Sequence, residues 1–277
     1  MKYNNGVVGD QHIDGLLLLG DNAYPAGTDA EWQGAFFDIY PEIISSAVVL
    51  PTIGNHEMGM APINICLFTD MLACDLTGEI VYPLGGASMS SDPSSYDSDD
   101  DGPDSEGLPY LNIFTLPTRG ELGGAASGTE QYYSSDFGNV HIISLDSQLS
   151  NFDDDLRGAM KDWLVADLQA SAEQDWKIVI FHHPPYSKGE NHDSDLEQRE
   201  IDMRTTFAPL FEEYGVDVVY SGHSHSYERS WYLSGHYGLS NSFTIEEHVA
   251  TDSDGNPSFG SPDTPYNKGN RLVYTVA

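Results

Sequence analysis

Cationic side chains are scarce in this sequence. Its 277 residues hold 11 Lys and Arg against 44 Asp and Glu, for a formal charge of −33 at neutral pH. A surface that negative repels nucleic-acid phosphates and anionic lipid headgroups, which argues against DNA, RNA or a membrane surface as partners. Long apolar runs are missing too. Leu16 to Leu19, as long as any, is strand-sized, whereas a membrane span needs ~20 residues. Met1 to Gln11 contains no basic stretch, apolar core or small-residue cleavage site, so a secretory leader is either absent or upstream of this chain. Cysteine is limited to Cys66 and Cys74. Neither has the close Cys or His partners of a zinc site, which leaves one disulfide in an oxidising compartment or two buried thiols.

Apolar material is nevertheless sufficient for a core, with 39% hydrophobic and 11% aromatic residues. The acidity therefore belongs to a solvated exterior, and the length suits one large α/β domain over residues 1–277. Strand and helix patterns alternate: strand at 15–19, helix at 29–46 interrupted by Pro41, strand at 48–53, strand at 140–145, helix at 157–172, strand at 177–181, helix at 199–214, strand at 216–220 and a last strand at 271–276. This order predicts an α/β fold with mainly parallel pairing. Between about 59 and 130 the alternation gives way to Gly, Ser, Pro and Asp, an acidic loop insertion. Asp97, Asp99, Asp101 and Gly102 there match the first half of an EF-hand loop, but Leu108 stands where the bidentate Glu belongs. Ca2+ binding and a merely solvated acidic segment both remain open readings of that stretch.

The chemistry concentrates at strand ends. Four apolar strands run into Gly20-Asp21, Gly54-Asn55-His56, His182-His183 and Ser221-Gly222-His223-Ser224-His225. In open α/β sheets the carboxyl ends of parallel strands share one crevice, so these distant residues are expected to converge. Each end alone has a bland reading as a turn, a helix start or a rigid loop. Four together make a mixed oxygen and nitrogen ligand set suited to iron, zinc or manganese.

Gly20-Asp21-Asn22-Ala23-Tyr24, Gly54-Asn55-His56-Glu57, His182-His183-Pro184-Pro185-Tyr186-Ser187 and Gly222-His223-Ser224-His225-Ser226-Tyr227-Glu228-Arg229 resemble motifs two to five of the calcineurin-like metallophosphoesterases. Tyr24 after Asp21, and Tyr227-Glu228-Arg229 after the His-x-His, resemble the purple acid phosphatase branch. The resemblance implies a sandwich of two mixed β-sheets flanked by helices and a two-metal site. Asp21 would bridge both ions, Tyr24 and His225 would bind a ferric ion, and Asn55, His182 and His223 would bind Zn2+, Mn2+ or Fe2+. His182 fits the family spacing through Pro184 and Tyr186, which leaves His183 as a supporting neighbour. His56 and His192 would act on the phosphate and leaving group, unless His192 is only an exposed loop residue. Glu57 and Glu228-Arg229 would orient ligands and loops. The implied activity is hydrolysis of small phosphate monoesters by metal-bound hydroxide, in a secreted or periplasmic setting. A phosphodiesterase or nucleotidase using the same metals, and a catalytically silent metal-binding module, are the competing readings.

One family element has no counterpart. Asp10-Gln11-His12 mimics the first motif, but His12 stands too close to Gly20 for a parallel crossover of about a dozen residues. Asp10 and His12 are therefore expected to be decoys, the first strand-helix unit to be missing, and the chain to be truncated at both ends relative to the family.

Overall fold

The computed structural model describes residues 13–58, 108–149, 154–189, 192–251, 254–257 and 271–277. Asp10, His12, Cys66, Cys74 and the Asp97 to Gly102 stretch lie outside the described residues. The described strands are β1 (Gly15–Leu18), β2 (Val48–Pro51), β3 (Tyr133–Phe137), β4 (Val140–Ser144), β5 (Trp176–Ile180), β6 (Val218–Ser221), β7 (Glu228–Arg229) and β8 (Val273–Val276). β1 and β2 pair in parallel, with Gly15 opposite Val48 and Leu18 opposite Pro51. The other six form a mixed sheet in the order β3-β4-β5-β6-β8-β7. Its four central strands are parallel and both edge strands antiparallel. Ile143, Val179, Ile180 and Val219 in the parallel strands are wholly buried, as expected of strands covered on both faces.

The predicted parallel α/β alternation is present, with differences at its edges. β3 reads as Tyr-Ser-Ser-Asp-Phe, too polar to register as a strand. Its signal lay instead in the two-residue Gly138-Asn139 turn to β4, where Gly138 takes a φ of 65° that a side chain would disfavour. The helical stretch after β1 breaks up as expected at proline: Asp29–Trp32 is α-helical, Gln33–Phe37 forms a π turn, and Pro41–Ile44 starts afresh. Thr28 and Glu31 close a reciprocal capping box at its start. This places Trp32 fully inside, against Phe36 and Phe114 at 5.8 and 5.2 Å between ring centres. Phe114 follows the short helix Pro109–Ile113, so the described end of the acidic insertion contributes to the core. The helix predicted at 199–214 contains a second π turn, Met203–Phe207. Pro209 lies just beyond and has no N–H for the carbonyl of Thr205, which loosens the ladder there.

Polar ties join the two sheets. Tyr133 Oη and Ser144 Oγ donate to the Pro51 carbonyl at 2.8 and 3.0 Å, and Thr52 Oγ1 donates to Leu145 O at 2.8 Å. On β4 itself, buried His141 is held between two carboxylates. Nδ1 faces Asp136 Oδ1 and Nε2 faces Asp167 Oδ2, both at 2.7 Å. Burial alone would lower the pKa of this imidazole, but the hydrogen bonds and charges of Asp167 and Asp136 outweigh it and raise it. A histidine raised in the folded state stabilises fully below its ordinary value, and that contribution fades as pH climbs through the folded pKa. His141→Gln is therefore expected to cost about 2 kcal/mol near pH 6, and the gap to the parent chain should narrow in urea titrations toward alkaline pH. A gap that widens with pH would contradict a charged His141.

Candidate metal centre

The candidate ligands sit on the loops that leave four parallel strands. β1 ends into Gly20-Asp21 and β2 into Gly54-Asn55, side by side because their strands pair. β5 and β6 run in parallel into His182 and His223, and Gly222 N donates to His182 O at 3.0 Å. Glu57 gathers the first pair of loops. Its buried carboxylate accepts the backbone N–H groups of Asp21 (2.7 Å), Asn22 (2.6 Å), Ala23 (3.3 Å) and Gly54 (2.8 Å). Asp21 Oδ1 in turn accepts the backbone N–H of His56 at 2.8 Å. Three non-glycine residues here adopt left-handed backbone: Asp21 (φ 55°), His223 (φ 66°) and His225 (φ 52°). Such conformations cost about 1–3 kcal/mol each and cluster at functional sites.

All eight residues singled out from the sequence come together. His182 Nε2 lies 3.0 Å from Asp21 Oδ2, 3.1 Å from Asn55 Oδ1 and 3.2 Å from His223 Nδ1. Tyr24 Oη lies 3.0 Å from His225 Nε2 and 3.4 Å from Asp21 Oδ2. The His56 ring packs on Tyr24 with ring centres 3.9 Å apart, and its Nε2 is 3.8 Å from Asp21 Oδ2. The rings of His192 and His223 are in contact, 3.8 Å between centres and tilted by 39°. Asp21 stands between the two groups, the nitrogen-rich one around His182 and the phenol-imidazole pair of Tyr24 and His225.

Proton positions support a cation site. His182 Nδ1–H donates outward to Leu19 O at 2.8 Å, and His223 Nε2–H donates outward to Glu197 Oε2 at 3.0 Å. The inward atoms, His182 Nε2, His223 Nδ1, Asn55 Oδ1 and Asp21 Oδ2, then present lone pairs to one another. A metal ion resolves that convergence, and the mixed N and O donors fit first-row metals. Without a cation a proton fills that gap: burial works to lower the pKa of His182, but the charge and hydrogen bond of the Asp21 carboxylate outweigh it and raise it. Burial works against ionisation of Asp21, but the charge and hydrogen bond of His182, together with His56, hold its carboxyl at about 2. Burial, reinforced by the charges of His182 and His192, drives His223 down to about 4 despite Glu197, so its ring is neutral at ordinary pH. Tyr24 is pushed up by burial and by the Asp21 carboxylate, so its hydroxyl keeps its proton unless a cation replaces it.

Two participants carried little or no sequence signal. Glu197 accepts from both His223 and His192 Nδ1, the latter at 2.7 Å. Only the His192 to Glu197 spacing could have suggested it. Ser147, in the loop after β4, pairs with His183 Nδ1 at 2.8 Å. His183 lies beside both neighbours, its ring 4.8 Å from that of His182 and 4.4 Å from that of His223, and its buried Nε2 has no partner.

A family model described as calcineurin-like phosphoesterase matches residues 2–227. The chain belongs to that family. Its sequence similarities support the purple acid phosphatase branch: it is 37% identical to purple acid phosphatase 1 of Ipomoea batatas over 125 residues, covering 44% of this chain and 24% of that protein. It is 31% identical to purple acid phosphatase 18 of Arabidopsis thaliana over 131 residues, covering 45% and 28%. The chain thus spans about a quarter of the length of these curated relatives. The solved purple acid phosphatase from yellow lupin (Lupinus luteus) seeds shares the fold with a TM-score of 0.53 and 16% identity, over 99% of this chain and 38% of that one.

Gly54 leaves no room beneath the Asp21 loop. A Cβ there would fall against Asp21 Oδ1 and the Asp21 amide, and 2.8 Å from Glu57 Oε2. Gly54→Ala should displace Asp21 and lower bound metal, measured by elemental analysis, at least about tenfold, along with thermal stability. Unchanged metal content would show that Asp21 does not depend on this close approach.

Proposed function

We propose that this calcineurin-like phosphoesterase chain hydrolyses small phosphate monoesters with two metal ions. The observation that carries the reading is the convergence of ligand-type N and O atoms from four strand ends around Asp21, with the other ring nitrogens of His182 and His223 held outward by Leu19 O and Glu197. Asn55, His182 and His223 would hold a divalent ion (Zn2+, Mn2+ or Fe2+), Tyr24 and His225 a ferric ion, and Asp21 both. When bound, such a pair polarises phosphate oxygens and acidifies water.

The chain's own groups supply the rest. His56 Nδ1–H donates to Pro25 O at 2.7 Å, which fixes the ring with Nε2 toward the Asp21 side. In its protonated form that nitrogen would donate a hydrogen bond to a phosphate oxygen. His192, oriented through Nδ1 by Glu197, would give a proton from Nε2 to the departing alcohol oxygen as the P–O bond breaks. The charge of −33 disfavours polyanionic substrates and matches small esters.

Metal analysis combined with hydrolysis of a chromogenic phosphomonoester and a diester tests the reading. Two metals with monoester turnover support it. Faster diester turnover would favour a phosphodiesterase, and metal without turnover a silent binding module. His182→Ala and His223→Ala should each lose divalent metal and turnover together, by at least about tenfold. Normal metal content in both would overturn the ligand set. Tyr24→Phe should abolish any visible tyrosinate-to-iron absorption band of the metal-loaded protein, and a persisting band would remove Tyr24 from the ferric site.

A further inference from the structure

The proposed reaction gives His183 no task, yet its ring is buried against two of the proposed ligands. Consecutive strand residues point to opposite faces. Here the chain bends at His182 and His183, past the end of β5 and ahead of Pro184-Pro185, and both rings lie against that of His223. The three ring centres stand 4.4, 4.8 and 5.0 Å apart. One ring nitrogen from each of His182, His183 and His223 lies within 4.8 Å of the other two.

Hydrogen bonding identifies the atom that His183 offers. Ser147 Oγ accepts the His183 backbone N–H at 3.0 Å and lies 2.8 Å from His183 Nδ1. Nδ1 is thereby engaged, which leaves Nε2, a buried nitrogen without a hydrogen-bond partner. If Ser147 gives its proton to Nδ1, Nε2 carries a buried N–H with no acceptor. If Nδ1–H donates to Ser147 Oγ instead, Nε2 is a buried lone pair with no donor. Either arrangement strands a polar atom among the proposed ligands. A cation relieves the second one directly, because it takes the lone pair. The same division of labour holds in the other two rings, where His182 Nδ1 is engaged by Leu19 O and His223 Nε2 by Glu197, and His182 Nε2 and His223 Nδ1 face each other at 3.2 Å. Each of the three rings thus has one nitrogen fixed by the protein and one left over, the pattern of an imidazole ligand with its supporting partner.

We infer, resting on the two-metal reading above, that His183 Nε2 is a third imidazole ligand of the divalent ion beside His182 and His223, and that this position selects Zn2+ over Mn2+. Imidazole nitrogen suits Zn2+, whereas carboxylate, carbonyl and water oxygens suit Mn2+. Asn55 and Asp21 add oxygen donors to three nitrogens at this position, while Tyr24 and Asp21 add oxygen donors to the single imidazole of His225 at the other. Ser147 sets the His183 tautomer.

Nuclear magnetic resonance of the full chain, with labelled histidine nitrogens and a spin-active cadmium isotope as the probe metal, tests the assignment. Scalar coupling from the metal to His183 Nε2 is expected together with couplings to His182 Nε2 and His223 Nδ1. The measurement needs neither a variant nor turnover. In chelator competition His183→Phe, its fold checked by circular dichroism, should weaken Zn2+ binding at least about tenfold and Mn2+ binding by a clearly smaller factor. Couplings at His182 and His223 without one at His183 would leave His183 a packing residue and overturn the proposal. Absence of any coupling, or equal losses of Zn2+ and Mn2+ in His183→Phe, would overturn it as well. All three couplings in a chain that hydrolyses no phosphate ester would uphold this ligand and count against the phosphatase reading alone.

Discussion

The backbone amides of Asp21, Asn22, Ala23 and Gly54 converge on a single carboxylate, that of Glu57. Those amides belong to the loops that leave two adjacent strands, so one side chain locks together the ends of β1 and β2. Removing such a group would orphan buried N–H donors at the point where the protein must hold Asp21 and Asn55 in register. Burial and the neighbouring Asp21 charge push the Glu57 carboxyl up, and the surrounding amides work in the opposite direction. The carboxylate thus depends on the loops as much as they depend on it.

A second layer of the same logic aims the imidazoles. His182, His223 and His56 each pair one ring nitrogen with a fixed acceptor, respectively Leu19 O, Glu197 and Pro25 O, so the other nitrogen faces Asp21 or its neighbours. Such outer partners set tautomer and ring angle before any ligand arrives, and they reduce the freedom lost when one binds. Glu197 serves two rings at once, linking a proposed ligand, His223, to a proposed proton donor, His192.

Much of this was legible in the sequence because the signals were local. Short apolar runs marked the parallel strands, Pro41 marked the split in the first helical stretch, and strand-end clusters marked the site. β3 escaped because its Tyr-Ser-Ser-Asp-Phe composition derives its strand character from pairing with β4, and pairing has no one-dimensional trace. The two π turns escaped because they answer to packing and to Pro209 rather than to periodicity. Glu197 and Ser147 were invisible for a related reason: each matters only through a side chain, His223 or His183, that the fold brings to it from 26 or 36 residues away.

The left-handed backbone at Asp21, His223 and His225 also bears on how such a centre could be transplanted. Each of these residues leaves its strand through a sharp reversal that an ordinary strand terminus does not make. Grafting the same amino acids onto regular strand ends of another scaffold would aim their donor atoms elsewhere. The unit that must be carried over is the bent peptide together with its amide clamp, because the side chains inherit their direction from it.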